Sequence, residues 1–224
     1  MKTLLKITAT MTGSKGYSAQ IAEEFARDWL DRNPGGRVLT RDLFADPVPH
    51  LTAERFAAFA APPADRTADQ QAIVAYSDTL IAELNAAEVI VFAVPMYNFS
   101  VPSTLRAYFD HIARAGVTFR YTPEGAKGLI EGKQAYVFIA RGGVHPTATD
   151  TQTPYLRQFL EFIGITDLHF VHAEGLALGE DAREQSLAKA RQTAAKLRAV
   201  PHRLRRAGGR GSTSSRARRA TPAT

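Results

Sequence analysis

Five short apolar runs recur along residues 1–200, and each is followed by a polar or amphipathic stretch. Leu4–Thr8, Val38–Leu43, Val89–Val94, Gln134–Ala140 and His169–Ala173 read as strands. The run Val89-Ile90-Val91-Phe92-Ala93-Val94 is apolar at every position, which predicts a central strand covered on both faces rather than a half-solvated one. Ser18–Arg32 instead repeats at the helical period, with Ile21, Ala22, Phe25, Ala26 and Trp29 on one stripe. Asn33-Pro34-Gly35-Gly36 ends it. Further helices are expected over Thr67–Ala86, 103–115, Thr153–Ile163 and Asp181–Arg198. Residues 44–66, with Pro47, Pro49, Pro62 and Pro63, form an insertion of loop and short helix (Ala53–Ala60), and 116–132 is an extended, Gly-punctuated segment. Strands alternating with helices predict an α/β, doubly wound parallel sheet with right-handed crossovers. Two strand orders are possible, 2-1-3-4-5 and the six-stranded dinucleotide-binding type; five strands favour the first.

Composition bounds the class. The chain has 224 residues, of which 45% are hydrophobic, enough for one α/β domain. It has no Cys, so disulfides, thiolate metal sites and cysteine nucleophiles are excluded. No apolar stretch approaches the ~18 residues of a spanning helix, and Met1–Ile7 lacks a signal peptide's apolar core. A cytoplasmic protein without membrane contact is expected.

The net charge of +6 has a local origin. Residues 201–224 carry seven Arg and no acid; removing those seven from 28 basic residues leaves 21, against 22 acidic ones. The body, residues 1–200, is one near-neutral domain. The Arg/Gly/Ser-rich tail, 201–224, buries too little apolar surface to offset its ordering entropy and is expected to be disordered. Arg with Gly and Ser suits non-specific nucleic-acid binding, yet no aromatic residue interleaves the tail, so nucleic-acid contact is not expected.

Three loops fall at carboxyl ends of strands, where open α/β sheets bind ligands. The first, Thr10 to Ser18, is rich in hydroxyls and Gly and runs into a helix start. Exposed N–H groups and the helix dipole would make that an anion site; a plain Ser18 N-cap accounts for it equally well. The second, Met96-Tyr97-Asn98-Phe99, sets a flat apolar face beside an amide that can pair with a heterocycle's polar edge; aromatics simply packed under a helix are the alternative. The third is Arg141-Gly142-Gly143-Val144-His145, where paired Gly permits close backbone approach or simply a tight turn. The G-x-G-x-x-G and Walker patterns are absent, which favours a mononucleotide over NAD or ATP as the bound group. No metal site is expected: His169 and His172, three apart on a strand, point to opposite faces.

The runs Pro95-Met96-Tyr97-Asn98-Phe99, Arg114-Ala115-Gly116-Val117-Thr118-Phe119-Arg120-Tyr121, Arg141-Gly142-Gly143 and Phe162-Ile163-Gly164-Ile165 together resemble the FMN-dependent NADH-azoreductase and NADH:quinone oxidoreductase family. The likeness extends through nearly all of residues 1–200. It implies a flavodoxin-like fold, order 2-1-3-4-5, with non-covalent FMN held by Thr10, Gly16, Tyr17, Ser18, Met96, Tyr97, Asn98, Phe99, Ala140, Arg141, Gly142 and Gly143. It also implies NADH or NADPH as reductant, quinones and azo compounds as acceptors, ping-pong turnover, and a homodimer in which Phe119, Tyr121 and Phe162 wall a substrate pocket. His145 is a candidate hydrogen-bond donor to flavin or substrate. One position departs from the family: its phosphate loop resembles S-x-x-G-x-x-S-x-S, whereas this chain reads Thr10-x-x-Gly13-x-x-Gly16-x-Ser18.

Overall fold

The computed structural model describes residues 1–198; the tail, with its expected disorder, lies outside them. Five parallel strands form one sheet: β1 (Thr3–Thr8), β2 (Arg37–Asp42), β3 (Val89–Pro95), β6 (Gln134–Ala140) and β7 (Asp167–Ala173). Their order is β2-β1-β3-β6-β7, the 2-1-3-4-5 order with a hairpin inserted. That hairpin, β4 (Phe119–Thr122) paired antiparallel with β5 (Gly125–Gly128), occupies the segment expected only to be extended. Helices are α1 (Tyr17–Arg32), α2 (Ala53–Ala60), α3 (Ala68–Ala86), α4 (Ser103–Ile112), α5 (Gln152–Ile163) and α6 (Glu180–Arg198).

The two faces of β3 and β6 explain the unbroken apolar runs. Ile90, Phe92, Val94, Val137 and Ile139 pack with Leu80, Leu84, Leu105, Phe109 and Leu160 on one side. Val91, Ala93, Tyr136 and Phe138 pack with Phe25, Trp29, Leu187 and Ala190 on the other. Each side chain fully buried here contributes about 1.5–3 kcal/mol of transfer free energy, so a central strand cannot carry a polar face.

Helix ends are set by particular side chains. Thr67 caps α3, accepting from Gln70 N–H while the Gln70 side chain accepts from Thr67 N–H. α4 stops at Ile112, three residues before the expected end, because Thr118 reaches back to that terminus. Its hydroxyl donates to the Ile112 carbonyl at 2.6 Å and accepts from Arg114 N–H at 2.9 Å. Gly164 ends α5 at φ 107, a conformation that favours glycine. A Cβ on Gly128 would run into the Gly164 backbone, and the Leu129 and Ile130 amides both donate to the Ile163 carbonyl. The Phe-x-Gly segment is therefore a docking point for the hairpin.

Candidate functional site

α1 starts at Tyr17 with Gly16 as its N-cap, and no side chain caps it. Its first-turn N–H groups have no partner within the helix. Ser18 is the helix's second residue rather than its cap. Its hydroxyl is buried and has no hydrogen-bond partner within the protein. A buried hydroxyl left unpaired costs about 1–3 kcal/mol, so this group marks a place where a ligand oxygen belongs. The N-cap alternative is thereby removed.

After β3 the chain turns sharply. Tyr97 and Ser100 exchange N–H···O bonds of 3.1 and 3.0 Å, and the two residues between them, Asn98 and Phe99, both have positive φ (49° and 64°). Asn tolerates that region; a bulky Phe does so only under strain. Phe99 is nevertheless 68% exposed. The turn is held from outside: the Thr151 hydroxyl donates to the Phe99 carbonyl, and Gln152 Nε2 donates to the carbonyls of Pro95 (3.0 Å) and Ser100 (3.4 Å). The Met11 amide donates to Tyr97 Oη at 3.3 Å, joining the first loop to the second.

After β6, Arg141 is 1% exposed. Its guanidinium donates to Asp150 (2.8 Å), Glu174 (3.0 Å), Thr153 (2.9 Å) and Gln152 (3.3 Å). Burial alone would raise the Asp150 carboxyl; hydrogen bonds from Thr153 and Arg141 outweigh it and hold the group at about 2. His172, against Thr153, is pushed below its ordinary value by burial and by Arg141. Glu174 also accepts from the His145 amide at 3.2 Å. Neither Gly142 nor Gly143 has positive φ, so no left-handed turn demands the pair.

These loops enclose an open cleft of about 370 Å³. Thr10, Gly16, Tyr17, Ser18, Met96, Tyr97, Ala140, Arg141 and Gly142 line it, all of them anticipated. Asn98, Phe99, Gly143 and His145 lie outside its lining; Phe99 and His145 meet edge to face at 6.0 Å. Arg141 borders the cleft but directs its charge into the ion-pair network, so its side chain acts by positioning. Phe119, Tyr121 and Phe162 do not reach the cleft. They cluster with one another, Phe119 lying 4.3 Å from Phe162 and 5.5 Å from Tyr121. Sequence reasoning missed Thr12, Lys15, Leu176 and Ala177, which also line the cleft. Leu176 and Ala177 follow β7, and applying the strand-end rule to that strand as well would have found them. A second cleft of about 310 Å³ lies between Lys6, Glu23, Arg27 and Asp42; there Lys6 and Glu23 already neutralise each other. Among the described residues no cluster of three or more metal-ligating side chains occurs, and no helix is long and apolar enough to cross a membrane.

Residues 1–197 match the family described as having a flavodoxin-like fold. An FMN-dependent NADH:quinone oxidoreductase of Cellvibrio japonicus (strain Ueda107) is 50% identical over 192 residues, 85% of this chain and 96% of that protein. The protein of the same description from Burkholderia pseudomallei (strain K96243) is 53% identical over 196 residues, covering 87% and 99%. The chain belongs to this family. Among solved structures, the azoreductase of Bacillus anthracis str. Sterne superposes with a TM-score of 0.81 at 28% identity, covering 88% of this chain and 98% of that one.

The donor set fits a flavin mononucleotide. Unsatisfied N–H groups and the Ser18 hydroxyl suit a phosphate at the α1 end. Met96, Tyr97 and bare backbone at Gly142 suit a flat ring at the other.

Proposed function

We propose that the protein is an FMN-dependent oxidoreductase that transfers two electrons from NADH or NADPH to quinones and reductively cleaves the azo bond of aromatic azo compounds. The observation that carries this reading is the buried, partnerless hydroxyl of Ser18 at an uncapped helix start, in a residue that lines the same cleft as Tyr97 of the strained turn. The activities of relatives at 50% identity and above support it. When bound, the isoalloxazine supplies the hydride acceptor and the two-electron donor.

The chain's own residues bind, orient and exclude water. Ser18 and the first-turn amides of α1 would hold the phosphate, Met96, Tyr97 and the Gly142 backbone would hold the ring, and the N–H groups of Gly142 and Gly143 would be the donors that stabilise negative charge on it. His145, outside the cleft lining on the loop after β6, is the proposed hydrogen-bond partner of ring or substrate. One opening serves reductant and acceptor in turn, which predicts ping-pong kinetics. A quinone takes two electrons and two protons, hence one NADH; scission of an azo bond to two amines takes four electrons, hence two. Phe119, Tyr121 and Phe162 wall the substrate space only if supplied by a second copy, so the working form in this reading is a homodimer in the cytoplasm, where reduced nicotinamide is available.

The test is direct. The purified protein should be yellow or take up FMN, NADH should bleach it anaerobically, and quinone should restore the colour. Initial rates at several quinone concentrations should give parallel double-reciprocal lines. A protein that takes up no flavin ends the reading.

A further inference from the structure

Gly16 leaves the first residue before α1 without a side chain, yet the space beside it is filled. A Cβ on Gly16 would fall 2.5 Å from Thr10 Oγ1, 3.0 Å from Thr10 Cγ2 and 3.0 Å from Thr12 Oγ1. Two hydroxyls from the preceding loop occupy the volume that a residue-16 side chain would use. They are 2.9 Å apart, and the Thr12 amide also reaches Thr10 Oγ1 at 3.4 Å. Each hydroxyl has a single proton to donate. Either hydroxyl can donate to the other; with Thr10 accepting from the Thr12 amide and donating to Thr12 Oγ1, the Thr12 proton is free for a ligand. Thr10 is the buried member of the pair, whereas Thr12 is exposed and lines the cleft. Ser18, whose buried hydroxyl has no partner, lines the same cleft and independently points to an anionic ligand.

We infer that Thr12 is a phosphate ligand: its hydroxyl donates to the phosphate of FMN in place of the side chain missing at Gly16, with Thr10 as the positioning residue behind it. The inference rests on the flavin reading above. A hydroxyl donating to a dianion makes a charge-assisted bond, and losing one weakens binding about tenfold or more. The arrangement also means that Gly16 cannot be exchanged alone for the serine common in the family's phosphate loop. Any Cβ there displaces the Thr10 hydroxyl that orients Thr12.

The experiment compares FMN with riboflavin, which carries the same ring without the phosphate. Full-length protein is equilibrated with each, and free flavin in the ultrafiltrate is measured by its fluorescence. Wild type should hold FMN more tightly than riboflavin. Thr12→Val should weaken FMN about tenfold while riboflavin binding stays put, and Thr12→Ser should restore FMN. Gly16→Ala, which removes no hydroxyl, should also weaken FMN selectively. A Thr12→Val protein that holds FMN as wild type does overturns the inference, as does equal weakening of both flavins, which would mark a purely structural threonine. Wild-type protein that retains neither flavin overturns the functional reading as well, so the two failures are distinguishable.

Discussion

At the α1 end of the cleft, hydroxyls and bare amides are held by short-range contacts within residues 10–18: a threonine pair, a short 3-10 turn at Gly13–Lys15 and an uncapped helix start. At the β6 end, Arg141 is buried among two carboxylates, a Gln and a Thr drawn from two separate stretches of chain, 150–153 and Glu174. Gln152, wholly buried, extends that network to the strained turn after β3. The first end leaves its donors unsatisfied and therefore available for a ligand. The second satisfies its own, and so it can impose a backbone shape that the local sequence would not choose. Binding capacity sits where the protein is incomplete, and rigidity sits where it is complete.

Arg141→Ala should separate the two ends most sharply. It leaves Asp150 and Glu174 partly buried without their cation, a loss of about 3–5 kcal/mol measurable by urea denaturation; a stability change under 1 kcal/mol would show that the network is dispensable. The same network should make the β6 end acid-sensitive. Asp150 titrates lower in the folded protein than its ordinary 3.8, so its contribution is present above that pH and drains away as pH falls toward 2. His172 and His111 are both pushed below 6.5, chiefly by burial, so protonation favours the unfolded chain and stability declines as pH drops below that value. Thermal melts from pH 8 to 2 should show both stages, the first blunted in His111→Phe.

Gln152→Ala comes next. It leaves the buried Pro95 carbonyl short of a donor, at about 1–3 kcal/mol, and should speed flavin release, read by stopped-flow fluorescence. Unchanged release would detach Gln152 from the site. Phe99→Gly should move stability the other way. Relieving a positive φ at a bulky residue gains about 1 kcal/mol, and little burial is lost at an exposed ring, while quinone turnover falls with the lost rim contact to His145. A lower melting temperature would refute stored strain there. Last is Ser18→Ala at the α1 end, with stability raised by about 1 kcal/mol as a buried unpaired hydroxyl is removed, and FMN binding weakened. Marked destabilisation would mean that Ser18 serves the fold and not a ligand.

Much of the layout was legible without coordinates. Apolar runs located β1, β3 and β6 within a residue or two, and breaker chemistry at Asn33–Gly36 ended α1 correctly. The Tyr97–Phe99 turn and the Gly142 backbone were singled out by residue type alone. The hairpin at 119–128 was missed because β4 buries only Phe119 and β5, Gly-Ala-Lys-Gly, buries no residue, so neither carries an alternating pattern. The end of α4 was misplaced because its cap, Thr118, comes from beyond the helix rather than from a local stop signal.

Sequence periodicity and strand-end chemistry by themselves determined the layering and the loops that meet, because burial and turn formation act on neighbouring residues; the flavin came from the family resemblance of the loop motifs. Only the tertiary structure decided that Arg141 braces instead of reaching into the cleft, and that Thr12 fills the space beside Gly16. It alone decided that Leu176 and Ala177 close the wall, and that Phe119, Tyr121 and Phe162 stand apart from it in a single chain. Those outcomes depend on which donors and acceptors from distant segments find each other first-hand in space, and that pairing leaves no periodic trace along the chain.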